Sequence, residues 1–111
     1  MIPKPPPGAR AAGRRLWSAV LGDYELAEHE QQILREAVRT VDLIADLHAV
    51  ATSDGTMQDS PQGRRVHPAV VELRQQRVVL ARLLAALNIP TESDGASVRA
   101  PRGVYRIQGV S

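Results

Sequence analysis

Histidines, paired carboxylates and arginine doublets are the residues of this chain whose types could do chemistry. His29, His48 and His67 form neither an HExxH pattern nor any close ligand cluster, and no cysteine assists them. His29 lies in EHEQQ, where a solvated or helix-capping role outweighs a metal site built with Glu25, Glu28 or Glu30. His48 falls on an apolar helical stripe, so a packed, hydrogen-bonded imidazole is expected there. His67 directly precedes Pro68 and reads as a turn or N-cap residue. Asp42 and Asp46 are four apart and share a helical face, a spacing that suits an acid pair or a divalent ion. Nothing oxygen-rich accompanies them, and Arg39 or an arginine of a neighbouring subunit is the simpler expected partner. Ser18, Ser53 and Ser60 have no nucleophile-elbow context. Neither GxxxxGK nor GxGxxG occurs, so the sequence gives no warrant for nucleotide binding. An enzyme is the least expected class, and no cofactor or metal is called for.

Arg14-Arg15 and Arg64-Arg65 remain as the phosphate-contact candidates, because guanidinium forks match phosphate oxygens bidentately. Repeated around an oligomer, a few such arginines would give many phosphate contacts and strong salt dependence. Charge is segregated although the net is only +2. Lys4, Arg10, Arg14 and Arg15 meet no acid before residue 20. Asp23, Glu25, Glu28, Glu30, Glu36, Asp42 and Asp46 then face only Arg35 and Arg39, and Arg64, Arg65, Arg74, Arg77 and Arg82 face only Glu72. This separation fits complementary subunit edges, a basic face for a polyanion, or plain solvation.

The elements that must position these residues are helical. Pro3, Pro5, Pro6 and Pro7 make residues 1–12 a flexible, proline-rich arm. A short helix is expected over Ala11–Leu21, stopped by Gly22, with Trp17 in its apolar stripe. A long helix over Ala27–Ala51, about 35 Å at 1.5 Å per residue, carries Ile33, Val41 and Ile44. Thr52, Ser53, Asp54 and Gly55 should end it. A short irregular β-hairpin around Gln62-Gly63 is expected, with Met57 and Val66 as strand residues. Pro68 opens a helix to Leu87 with Leu73, Leu80 and Leu84 on one face, and Asn88-Ile89-Pro90 stops it.

The fold class predicted is therefore all-α: a short helix and a long antiparallel helical hairpin of Ala27–Ala51 against Pro68–Leu87 form a helical oligomerisation core over 13–90, followed by a C-terminal extended tail over 91–111. Trp17, Ile33, Val41, Ile44, Leu73, Leu80 and Leu84 are the expected core and oligomerisation residues. At 111 residues, with aromatic content of 3%, such a scaffold is marginal unless copies associate, so a homo-oligomer above the dimer, such as a ring, is expected. The absence of cysteine, of a signal-peptide run and of a stretch of about 20 apolar residues points to an intracellular, soluble protein without a membrane partner.

The run GRRLWSAVLGDYELAEHEQQILREAVRTVDLIADL, the Asp54-Gly55 turn and the run GRRVHPAVVELRQQRVVLARLLAALNIP together resemble the small terminase subunit of tailed bacteriophages, in the form found in actinobacterial phages and prophages. The likeness spans about two thirds of the chain, from Gly13 to Pro90, and HPAVVELRQQR at His67–Arg77 is its most specific part. The resemblance implies a non-enzymatic DNA-packaging factor in the cytoplasm of the bacterial host. Such a factor forms an oligomer, binds double-stranded viral DNA and recruits or regulates the large terminase subunit, which holds the ATPase and nuclease. It also implies that the tail docks on the large subunit through Tyr105 and Ile107, with pairing to the next copy as the alternative. The family commonly carries an N-terminal helix-turn-helix domain, for which the segment before Asp23 is too short. A DNA-binding repressor or antitoxin-like protein and a phage structural adaptor that does not bind DNA are the other readings.

Overall fold

A computed structural model of the protein describes residues 2–89. Three helices and a two-stranded antiparallel sheet follow one another as α1 (Ala11–Asp23), α2 (Glu28–Asp54), β1 (Met57–Ser60), β2 (Gly63–Val66) and α3 (Pro68–Ala86). Both α1 and α3 pack against α2.

Helix α1 forms without a capping side chain of its own, since its N-cap is Arg10. The missing acceptor comes from α2. Asp42 Oδ2 accepts the Arg10 backbone N–H at 2.8 Å, and Asp42 Oδ1 accepts that of Gly13 at 2.8 Å. One carboxylate thus satisfies both donors that a local capping box would divide between two side chains, at the helix end where negative charge is favoured. Gly13 is required by this approach: a Cβ there would lie 2.5 Å from Asp42 Oδ2 and 2.7 Å from Val38 Cγ1.

The core gathers around Trp17, which is fully buried with Leu21, Leu34, Ala37, Val38 and Leu87, and with Val20 at 5% exposure. This differs from the expected centre along the ridges of α2 and α3. Of Ile33, Val41, Ile44, Leu73, Leu80 and Leu84, only Leu73 is buried; the other five are half-buried. Ile33, Leu80 and Leu84 pack on the rim of the Trp17 cluster. The reason is that α2 is contacted on two sides, and the α1 side supplies the one large aromatic ring. Arg35 lies over that ring, 5.9 Å from its centroid, a distance at which a guanidinium is attracted to an indole face.

The proline-rich segment is anchored. The Trp17 indole N–H donates to the Pro3 carbonyl at 2.8 Å, Pro6 is buried, and Ala9 N–H closes a turn onto the Pro6 carbonyl at 3.1 Å. The boundary expected after residue 12 falls inside α1.

Helix α2 starts at Glu28, with Glu30 Oε1 accepting the Ala27 N–H at 2.9 Å. It runs one turn past the expected end at Ala51: Thr52, Ser53 and Asp54 are helical, and Gly55, at φ +87°, makes the break. The expected β-hairpin is present with Met57 and Val66 as strand residues; its register sets Met57 opposite Val66 and Ser60 opposite Gly63, so the turn falls at Pro61-Gln62 and Gly63 opens β2. His67 is the N-cap of α3 and Pro68 stands at its first turn. At the far end Asn88 takes a left-handed conformation with φ 59°; its N–H bonds the Ala85 carbonyl at 2.9 Å and the Ile89 N–H bonds the Leu84 carbonyl at 3.2 Å. This is a Schellman stop, and it seats Leu87 beside Trp17.

Candidate nucleic-acid interface

The two arginine doublets sit on different elements, and the fold does not bring them together. Arg14 and Arg15 lie on the outer side of α1, around a shallow open hollow with Ala11, Ser18 and Ala19. Arg14 is partly engaged, since its Nη1 donates to the Ala9 carbonyl at 2.6 Å. Arg15 is exposed. Gly13 is fixed beside Asp42, twelve residues before the end of α2 at Asp54. At 1.5 Å per residue this places the α1 doublet about 18 Å along the α2 axis from the ribbon.

Arg64 and Arg65 lie on β2, and both are exposed. Successive strand residues point to opposite faces, so the register sorts the ribbon into two surfaces. One carries Met57, Asp59, Arg64 and Val66, and on it Arg64 Nε lies 3.6 Å from Asp59 Oδ1. The other carries Gln58 opposite Arg65, with Ser60 opposite Gly63. Among the described residues the ribbon has no substantial packing on any helix.

The histidines and carboxylates fall as follows. His29 is exposed. His48 is also exposed, which overturns the packed imidazole expected on the apolar stripe: periodicity places it on the stripe but does not show that a neighbouring element covers it there. His67 is mostly covered. Its Nδ1 accepts the Ala69 N–H at 3.0 Å and its Nε2 lies 3.1 Å from Asp54 Oδ2, so the ring carrying its proton on Nε2 ties the start of α3 to the end of α2. Asp42 and Asp46 do not act as a pair on a shared ligand. Asp42 is consumed by the backbone of α1, whereas Asp46 Oδ2 accepts from Arg10 Nη2 at 2.7 Å. The hydrogen bond with Asp46 raises the Arg10 pKa, and the same bond holds the Asp46 carboxyl below its ordinary value. The arginine partner is therefore Arg10; Arg39 pairs with Glu36 on its own helix.

No group of three or more His, Cys, Asp or Glu residues that could hold a metal ion occurs among the described residues. Nor does any described helix have the length and apolarity to cross a membrane. Tyr105, Ile107 and the tail over 91–111 lie outside the described residues.

Sequence reasoning missed Arg10, Gly13 and the Asp42 cap. The available signal was Gly13 itself, a glycine inside a helix of alanine and leucine, which marks a close approach of another element. Compared with family models, curated proteins and solved structures, the chain matches none.

Proposed function

We propose that this chain is a non-enzymatic, self-assembling small terminase subunit, which binds double-stranded viral DNA and recruits or regulates a separate large subunit in the host cytoplasm. The observation that carries this reading is that α3 is apolar on two sides. Ala69 and Leu73 are buried on one side, while Val71 and Val78, two turns apart and on a common face, are 42% and 47% exposed. Helix α2 repeats the pattern with Leu43 and Val50, also seven apart, at 40% and 41% exposure. A helix that is apolar on both sides is ordinarily covered on both sides, and the outer side of α3 also carries Arg74 and Arg82. In this reading α2 and α3 form an antiparallel hairpin whose outer stripes meet in neighbouring copies. Two different patches in contact generate a closed ring when the rotation closes.

Light scattering at tens of micromolar protein and near-physiological salt is the test of assembly. A species larger than a dimer that Val78→Glu reduces in mass supports the reading, and a monomer overturns it. Duplex binding separates the terminase reading from a structural adaptor. Capture of a large terminase subunit separates it from a repressor or antitoxin, whose sequence preference would persist at high salt.

A further inference from the structure

The two arginines of the ribbon are adjacent in sequence and both exposed, yet the fold gives them different surroundings. We infer that the Gln58–Arg65 face of the β-ribbon is the surface that meets duplex nucleic acid, and that Arg64 belongs to the opposite face and takes no direct part. The inference rests on the DNA-binding reading above and specifies its contact surface.

Three observations support it. First, charge differs between the faces. Arg64 has Asp59 directly across the ladder, with 3.6 Å between Nε and Oδ1, so that face is neutral as a unit. Arg65 faces Gln58, and neither Ser60 nor Gly63 adds an acid on that side. A polyanion is attracted to the second face, whereas on the first it would have to separate an ion pair. Second, the chemistry differs. The first face bears Met57 and Val66, 40% and 41% exposed, side chains with nothing to offer a phosphate or a polar base edge. The second presents a guanidinium beside a carboxamide, both of which hydrogen-bond to phosphates and to base edges. Third, the shape suits a groove. A two-stranded ribbon on which no helix packs substantially among the described residues is the kind of element that the roughly 12 Å wide major groove admits.

The ribbon also contributes little to the core, since every residue of β2 is exposed and only Ser60 of β1 is partly covered. Substitutions on it therefore test binding without unfolding the helices.

Fluorescence anisotropy with a labelled mixed-sequence duplex, at low salt and across a salt series, decides the matter. Arg64→Gln and Arg65→Gln each remove one positive charge, so long-range attraction falls equally in both, and any difference between them reports direct contact. Arg65→Gln is expected to weaken binding about tenfold, and Arg64→Gln by less than about threefold. Gln58→Ala should weaken binding more than Gln62→Ala at the turn. Equal losses for the two arginines, or a larger loss for Arg64→Gln, overturn the assignment while leaving the DNA-binding reading in place. Losses confined to Arg14 and Arg15 variants overturn it in the same way. Failure of the unaltered protein to bind any duplex at low salt removes the DNA-binding reading and the assignment together.

Discussion

The α1 end of the molecule and the ribbon end are built on opposite terms. On the inner side of α1 the prominent groups are matched: Trp17 is fully buried with its N–H bonded to Pro3, Asp42 answers two backbone donors, and Arg10 answers Asp46. Around the ribbon and the outer side of α3, valines and arginines stand in solvent. The contrast separates two uses of a small chain. One end holds the fold, and the other leaves apolar and basic side chains exposed.

Substitutions at the two ends should separate these uses. The largest effect is expected from Trp17→Ala, which empties the centre of the only cluster of fully buried side chains among the described residues and should cost about 3–5 kcal/mol of unfolding free energy, measured by urea titration. Next comes Asp42→Ala. It leaves the buried Gly13 N–H without its acceptor and should cost about 1–3 kcal/mol. Wild-type stability in either variant would break the comparison at its sealed end. At the open end, Val78→Glu should change the stability of dilute, unassembled protein by less than about 0.5 kcal/mol. A loss there as large as for Asp42→Ala would show that the outer face of α3 holds up the single chain.

The smallest effect concerns Asp46. Its pKa is lowered in the folded state, so the unfolded chain takes up the proton first as the pH falls. The contribution is present above the ordinary aspartate value of 3.8 and is lost as the pH drops through the lower folded value. Arg10 is raised and remains charged throughout that window. Both side chains are exposed, so the effect is small. Melting curves of the wild type and Asp46→Asn should converge below this window and differ slightly at neutral pH, with the wild type the more stable.

Much of the architecture was legible where local rules act alone. The β-hairpin between α2 and α3, Pro68 at the start of α3 and the stop at Asn88 each follow from turn chemistry within a few residues. The α1 doublet and the ribbon doublet were legible as exposed arginines, but not as groups with different partners. That distinction needed the strand register, which puts Asp59 across from Arg64 and Gln58 across from Arg65. The centre of the core was misplaced for a related reason. Periodicity shows that Leu34, Val38, Val41 and Ile44 belong to a broad stripe, but not which edge of it meets Trp17. The Asp42 cap was illegible because its donors lie 29 and 32 residues away in the chain.

That separation also orders events in time. Residues 11–23 are made before the groups that hold them: the acceptor for the start of their helix appears only with Asp42, and the last member of the Trp17 cluster only with Leu87. At about 5–20 residues per second, α1 waits seconds for the groups that hold it. Helix α1 can therefore be secured on α2 before α3 exists, whereas a nascent chain that stalls before Leu87 leaves the Trp17 cluster without its last member.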